Sequence, residues 1–201
     1  ELRGIGGVRH AGDRVEPDPD GQPALALRFA QGQSLRENPP HTPDAIAKVA
    51  RDLGDALASL HAAGVAHGDV KPDNVIHDPT EDVAALIDLG LAGPAAARAP
   101  RGGTPRYLPQ GDASLGDARS RDLLALGILL AELASPEVAT AARPLEAARE
   151  AALPEPIAGL CLALLTPDPG SRPSAAWVAD IARAHLGEAS AAAQGQAEVR
   201  S

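Results

Sequence analysis

Four polar side chains stand at short, fixed intervals in the middle of a 201-residue chain: Asp69, Lys71, Asn74 and Asp88. The first three lie in His67-Gly68-Asp69-Val70-Lys71-Pro72-Asp73-Asn74, and the fourth in Leu86-Ile87-Asp88-Leu89-Gly90. Apolar, strand-like segments flank both stretches. Asp69 and Lys71 are two apart in a loop broken by Pro72, so both side chains can point to one side. Asn74 follows after a short turn with a neutral oxygen, and Asp88 ends the next strand with a carboxylate. One carboxylate and one amide suit Mg2+, which takes few protein ligands and fills its shell with water and phosphate; Mn2+ is the alternative. Lys71 can neutralise a migrating phosphoryl group as a point charge. Asp69 can accept the proton of an attacking hydroxyl. The chemistry these groups spell is phosphoryl transfer, which depends on positioning and charge more than on covalent catalysis.

Composition narrows the class of protein. The length suits one domain, or one lobe plus part of another. A net charge of −9 argues against a general nucleic-acid or anionic-membrane binder, since those need a basic face. The only lysines are Lys48 and Lys71 in a chain that otherwise uses Arg. Phe29, Tyr107 and Trp177 are single aromatics, so the core must be built from Leu, Ala, Val and Ile. A single cysteine, Cys161, excludes an intrachain disulfide and fits a reducing compartment, which makes a cytoplasmic location the expectation. The longest apolar run, Leu123 to Ala131, is far short of the ~20 residues of a membrane span, and no signal peptide is visible. The chain starts at Glu1 and contains no Met, and it reads as a segment cut at its N-terminus. The Arg/Ala/Pro/Gly bias points to a GC-rich bacterial genome.

The elements that must position the four residues follow from periodicity. Residues 1–22 are Gly-rich and charged, with Asp18-Pro19-Asp20-Gly21 as a turn signal and the acids at 13–20 as a solvated loop. Pro23 to Phe29 reads as a strand. Gln31 to Leu35 reads as a tight connection into a short helix. Thr42-Pro43-Asp44 starts a helix with a hydroxyl cap, a proline and a first-turn acid. Ile46, Val49, Ala50, Leu53, Leu57 and Leu60 form its apolar stripe, and Gly64 ends it. Val75–His77 and Val83–Asp88 read as a hairpin. Residues 91–119 are mostly irregular. Asp122 to Leu133 is apolar all round and therefore a buried helix. Further helices are expected over 144–152, 156–165 and 173–186, with Trp177 and Cys161 as core residues. The tail from Gly187 reads as linker. His10, His41, His61, His77 and His185 have no metal-ligand spacing and are expected at the surface.

The stretch His67-Gly68-Asp69-Val70-Lys71-Pro72-Asp73-Asn74 resembles the catalytic loop of eukaryotic-type (bacterial) serine/threonine protein kinases. Asp88-Leu89-Gly90 resembles that family's metal-binding Asp-Phe-Gly element. The separations, five residues from Asp69 to Asn74 and nineteen from Asp69 to Asp88, are natural for it. Gly103-Thr104-Pro105-Arg106-Tyr107-Leu108 resembles the substrate-side end of the activation segment. Arg121-Asp122-Leu123-Leu124-Ala125-Leu126-Gly127 resembles the start of the central buried helix, and Pro167 to Pro173 the late loop with the family's structural Arg. The motifs keep the family's order over roughly residues 20–186.

The resemblance implies an α+β, mostly helical fold: a protein-kinase-like C-terminal lobe over 31–186, an N-lobe strand remnant and hinge over 1–30, and a flexible tail over 187–201. It implies Asp69 as catalytic base, Lys71 as the phosphate-neutralising lysine, and Asn74 and Asp88 as metal ligands. Arg28 and Ala30 would meet the adenine of ATP through their backbone, with Ile76 beneath the base. Thr104 belongs to the substrate pocket. His67, Asp122 and Arg172 are structural, with Asp122 bracing the loop from below. ATP, Mg2+ and a protein substrate are the implied partners; the oligomeric state is left open.

The chain also departs from the family. Gly68 replaces the loop Arg that pairs with a phosphorylated activation segment, so activity is expected not to need that phosphorylation. Leu89 replaces Phe, and Gln110 replaces the Glu that pairs with the late-loop Arg, leaving a Gln110–Arg172 hydrogen bond. No strand lysine, Gly-rich phosphate loop or helix Glu is recognisable before residue 48, so this chain alone is expected to catalyse little. Three functions compete: a protein kinase, a pseudokinase that only binds partners, and a small-molecule phosphotransferase of the aminoglycoside or choline kinase type, which also uses a His-Gly-Asp loop. Lys71-Pro72 and the 103–107 motif favour the first over the third.

Overall fold

The computed structural model describes residues 31–98, 104–107 and 116–187 in full, together with the backbone of 11–17 and 23–27. The fold is α+β and mostly helical. Two strands come first, β1 (Ala11–Pro17) and β2 (Pro23–Leu27), paired antiparallel. Residues 11–17 are thus a strand, where their charge had read as a solvated loop. Pairing to the apolar β2 overrides the local pattern. Strand β3 (Gln33–Ser34) follows, and Leu35 to Asn38 form turns in place of the expected short helix. Ser34 accounts for this: its carbonyl accepts from the N–H groups of Glu37 and Asn38, and its N–H and hydroxyl bond the Glu37 carboxylate.

Helix α1 (Pro43–Ala62) starts where the cap signal places it, with Thr42 Oγ1 accepting from Ala45 N. Its stripe is buried, from Ile46 through Leu60. Strand β4 (Val65–Ala66) leads into loop 67–74. The hairpin β5 (Val75–Asp78) and β6 (Val83–Leu86) follows, with β3 beside β5 in one antiparallel sheet. Strand β7 (Gly93–Pro94) pairs back on β4. The second half is helical: α2 (Ala118–Ala134), α3 (Pro136–Thr140), α4 (Pro144–Glu150), α5 (Ile157–Leu164) and α6 (Ala175–Leu186). Helix α3 is an addition to the expected set, capped by Ser135, whose side chain accepts from Val138 N.

Helix α2 is apolar all round because it is central: Leu124, Leu126, Ile128, Leu129 and Leu130 are all wholly buried. It joins α1, the hairpin and α5 in one continuous core. Cys161 lies in that core, where burial pushes its thiol up to about 12. Trp177 does not; at 36% exposure it sits on the outer face of α6. Among the described residues no helix is long and apolar enough to cross a membrane.

Helix α6 closes the lobe by lying along α1. The two backbones approach closely at Gly54, where an added Cβ would lie 2.8 Å from Ala179 N and 2.9 Å from Ala175 O. Arg183 of α6 also pairs with Asp55 of α1. Gly54→Val therefore forces the helices apart and is expected to cost about 1–3 kcal/mol of unfolding free energy. Urea denaturation measures it; an unchanged midpoint would mean that α1 and α6 are not packed at this position.

Candidate active site

Loop 67–74 is pinned from beneath by one carboxylate. Asp122, in the second turn of α2, is 1% exposed. Its Oδ2 accepts from His67 N at 2.8 Å and its Oδ1 from Gly68 N at 2.8 Å. His61 Nε2 lies 3.0 Å from the same Oδ2. His61 is therefore packed on this brace rather than displayed at the surface. His67 is wholly buried. Its Nε2 lies 2.9 Å from Ile87 O, and Asp69 N donates to its Nδ1 at 3.3 Å. A carbonyl needs a donor and an amide needs an acceptor, so the ring is the neutral Nε2–H tautomer, with both nitrogens bonded to backbone.

Four donors converge on the Asp69 carboxylate. Lys71 Nζ reaches Oδ2 at 2.6 Å, and Asn74 Nδ2 reaches the same oxygen at 3.3 Å. The Thr104 hydroxyl donates to Oδ1 at 2.8 Å, and Thr104 N does so at 3.2 Å. Lys71 also donates to Thr104 Oγ1 at 3.2 Å. Partial burial pushes the Asp69 carboxyl up, but the hydrogen bonds from Lys71 and Thr104 outweigh it and hold it below the usual carboxylate range. Asp69 is thus ionised at neutral pH, with a cation and a hydroxyl already against it.

Asn74 and Asp88 are brought together by the hairpin. Val75 pairs with Leu86, and Ile87 N donates to Asn74 O at 2.9 Å, so Asp88 follows directly on the residue bonded to Asn74. Asn74 Nδ2 is spent on Asp69 O at 2.9 Å, which leaves its Oδ1 as the available oxygen. Asp88 is exposed and takes a left-handed backbone (φ 66°), with Oδ1 accepting from Gly90 N at 3.0 Å. One amide and one carboxylate fit a hard cation that draws its other ligands from phosphate and water. They do not make an all-protein cage: among the described residues no group of three or more His, Cys, Asp or Glu is placed to hold a metal ion.

A second anchor holds the turn Thr104–Tyr107. Glu132, buried in the last turns of α2, accepts from Arg106 Nε at 2.8 Å and from the Tyr107 hydroxyl at 2.5 Å. Arg36 bridges the Tyr107 hydroxyl and Asp73, each at 3.3 Å. Burial, with the nearby Glu132 carboxylate, pushes the Tyr107 phenol far up, so it stays a donor. Sequence reasoning missed Arg36, Arg106, Glu132 and His61. Glu132 left one signal, an acid on a helix apolar on every side. Arg172 donates to Ser120 O at 2.8 Å and to Thr166 O at 3.3 Å, tying the late loop to α2. Ile76 is half-buried in β5, opposite Ser34 on one side and Ala85 on the other. Arg28, Ala30 and Gln110, with the proposed Gln110–Arg172 bond, lie outside the described residues.

Two outcomes are expected. Asp122→Ala strands the buried amides of His67 and Gly68 and should cost about 3 kcal/mol in urea unfolding; a loss under about 1 kcal/mol would show that Asp122 does not hold the loop. Because the folded Asp69 carboxyl is depressed, its stabilising share is complete above the unfolded value of about 4 and is lost as pH falls through the folded value. Lys71→Met should therefore flatten the acid limb of a stability-against-pH curve. A limb identical to that of the parent would assign the dependence to other carboxylates.

Comparison with known proteins agrees with this geometry. The family model for the protein kinase domain matches residues 24–181. The chain is 35% identical over 174 residues to the serine/threonine-protein kinase PkaA of Streptomyces coelicolor, covering 76% of this chain and 32% of that protein. It is 35% identical over 121 residues to the serine/threonine-protein kinase PknL of Mycobacterium tuberculosis, covering 55% and 30%. Over 78 residues it is 40% identical to PknE of the same species, covering 36% and 13%. The chain thus spans about a third or less of the length of these relatives. With that match over most of its length, the chain belongs to the protein kinase domain family.

Proposed function

We propose that the protein carrying this chain transfers the γ-phosphoryl group of ATP to serine or threonine hydroxyls of protein substrates. The observation that carries this reading is the hydroxyl of Thr104, 2.8 Å from Asp69 Oδ1 and 3.2 Å from Lys71 Nζ. A hydroxyl there has a proton acceptor and a cation on it together. In the reaction the acceptor oxygen forms the new P–O bond as the bond to ADP breaks, and its proton passes to Asp69. Lys71 offsets charge on the moving phosphoryl group. Asn74 and Asp88 would hold Mg2+, which when bound screens the phosphate oxygens. Arg28 and Ala30 would take the adenine through their backbone, with Ile76 under the ring. Relatives named as serine/threonine-protein kinases support protein over small-molecule acceptors.

One observation favours the second reading, a kinase-like module that binds without transfer. Of the two lysines, only Lys71 faces the site; Lys48 is spent on an ion pair with Asp82.

The test is transfer of label from γ-labelled ATP by the full-length protein to itself and to a generic basic protein substrate, with and without Mg2+. Asp69→Ala and Asp88→Ala should each lower transfer at least about 100-fold. Equal labelling by parent and both variants would sink the catalytic reading. Mg2+-dependent ATP binding without transfer would support the binding module.

A further inference from the structure

The residue before Asp69 cannot carry a side chain. Gly68 is left-handed (φ 85°), and a Cβ there would stand 2.5 Å from the carbonyl oxygen of Leu91. That oxygen belongs to backbone, so it cannot swing away as a side chain would. No side chain at position 68 can therefore help to fix Asp69.

The peptide is held from another element. Arg121 precedes Asp122 in α2 and is 4% exposed. Its Nη2 donates to Gly68 O at 2.9 Å, while Asp122 Oδ1 accepts from Gly68 N. Consecutive residues of one buried helix thus hold both polar groups of Gly68. The carbonyl that Arg121 grips belongs to the peptide joining Gly68 to Asp69, so the contact sets the plane from which the Asp69 side chain departs. Arg121 also lines the narrow cleft shared by Asp69, Val70, Thr104 and Tyr107. On its other side lies a cavity of about 230 Å³, with mostly apolar walls that include Leu91, Pro94 and Ala97. A charge with so little water around it is weakly screened. Burial pushes the guanidinium down, and the carboxylates of Asp122 and Asp69 push it back up.

We propose that Arg121 is a positioning residue for Asp69, fixing the Gly68–Asp69 peptide from α2. This rests on the reading of Asp69 as the proton acceptor, but its physical content does not need turnover.

The experiment uses the full-length protein with Arg121→Met, Arg121→Gln and Arg121→Lys. Methionine keeps the length and meets apolar walls but cannot donate to Gly68 O; glutamine is the second neutral form, and urea unfolding of each variant checks that the fold is kept. Hydrogen exchange at the Asp69 amide, followed by NMR, reads how firmly the peptide is held. Both neutral variants should speed it about 10-fold or more, and R121K should keep it near the parent rate. In the transfer assay, kcat should fall about 10-fold or more in R121M and R121Q with KM for ATP unchanged, and R121K should recover part of the loss. Asp69 amide exchange that is the same in all four proteins would overturn the proposal and leave Arg121 as packing. So would equal losses in the lysine and neutral forms. A parent that transfers nothing, but whose Asp69 amide exchange follows the residue at position 121, would overturn the proposed function and leave the positioning role standing.

Discussion

Much of this lobe depends on a single buried carboxylate accepting backbone hydrogen bonds. Loop 67–74 has too little regular structure to satisfy its own amides, and an unpaired buried N–H is costly. Asp122 resolves that by reaching the N–H groups of His67 and Gly68 with its two oxygens. Its own burial is tolerable because these donors and His61 surround it. Once the two amides are fixed, His67 can lock its ring between Asp69 N and Ile87 O, and Asp69 is aimed by what lies before it. Loop geometry is thus inherited from a helix, the stiffest element available.

The same helix sets a second distance. Asp122 and Glu132 are ten residues apart on α2, about 15 Å along its axis at the usual rise. The first grips the loop that holds Asp69 and Lys71. The second grips Arg106 and Tyr107, and so presents Thr104 to Asp69. Two segments far apart in sequence meet because both are measured from one rod. That explains why α2 is apolar on every other face: a helix used as a reference must not shift, and full burial prevents it.

Legibility from sequence followed the range of the interactions. Thr42-Pro43-Asp44, the α1 stripe and the 75–86 hairpin were readable because their causes are local. So was the placing of Asp69, Lys71, Asn74 and Asp88 side by side, since a loop and one hairpin hold all four. His61 was misread because its partner, Asp122, is far along the chain, and nothing near His61 announces it. The pairing of Glu132 with Arg106 could not be read for the same reason. Trp177 was placed inside by its size, but its face of α6 turns outward. The charges of 11–17 hid β1, whose cause is the neighbouring strand.

The pairing of α1 with α6 has a consequence for how the chain is made. Gly54 meets Ala175 and Ala179, so the face of α1 beside it cannot be covered until the end of the lobe has left the ribosome. At ordinary rates of synthesis that is a delay of about 10 s. Through that interval a helix with a buried-type stripe waits uncovered beside an unfinished core. Nascent chains at this stage are open to chaperones and to misassembly with one another, and the last contact made is also one of the most distant in sequence. Synthesis speed downstream of α1 therefore becomes a parameter of yield for this lobe, independent of the stability it reaches once α6 is seated.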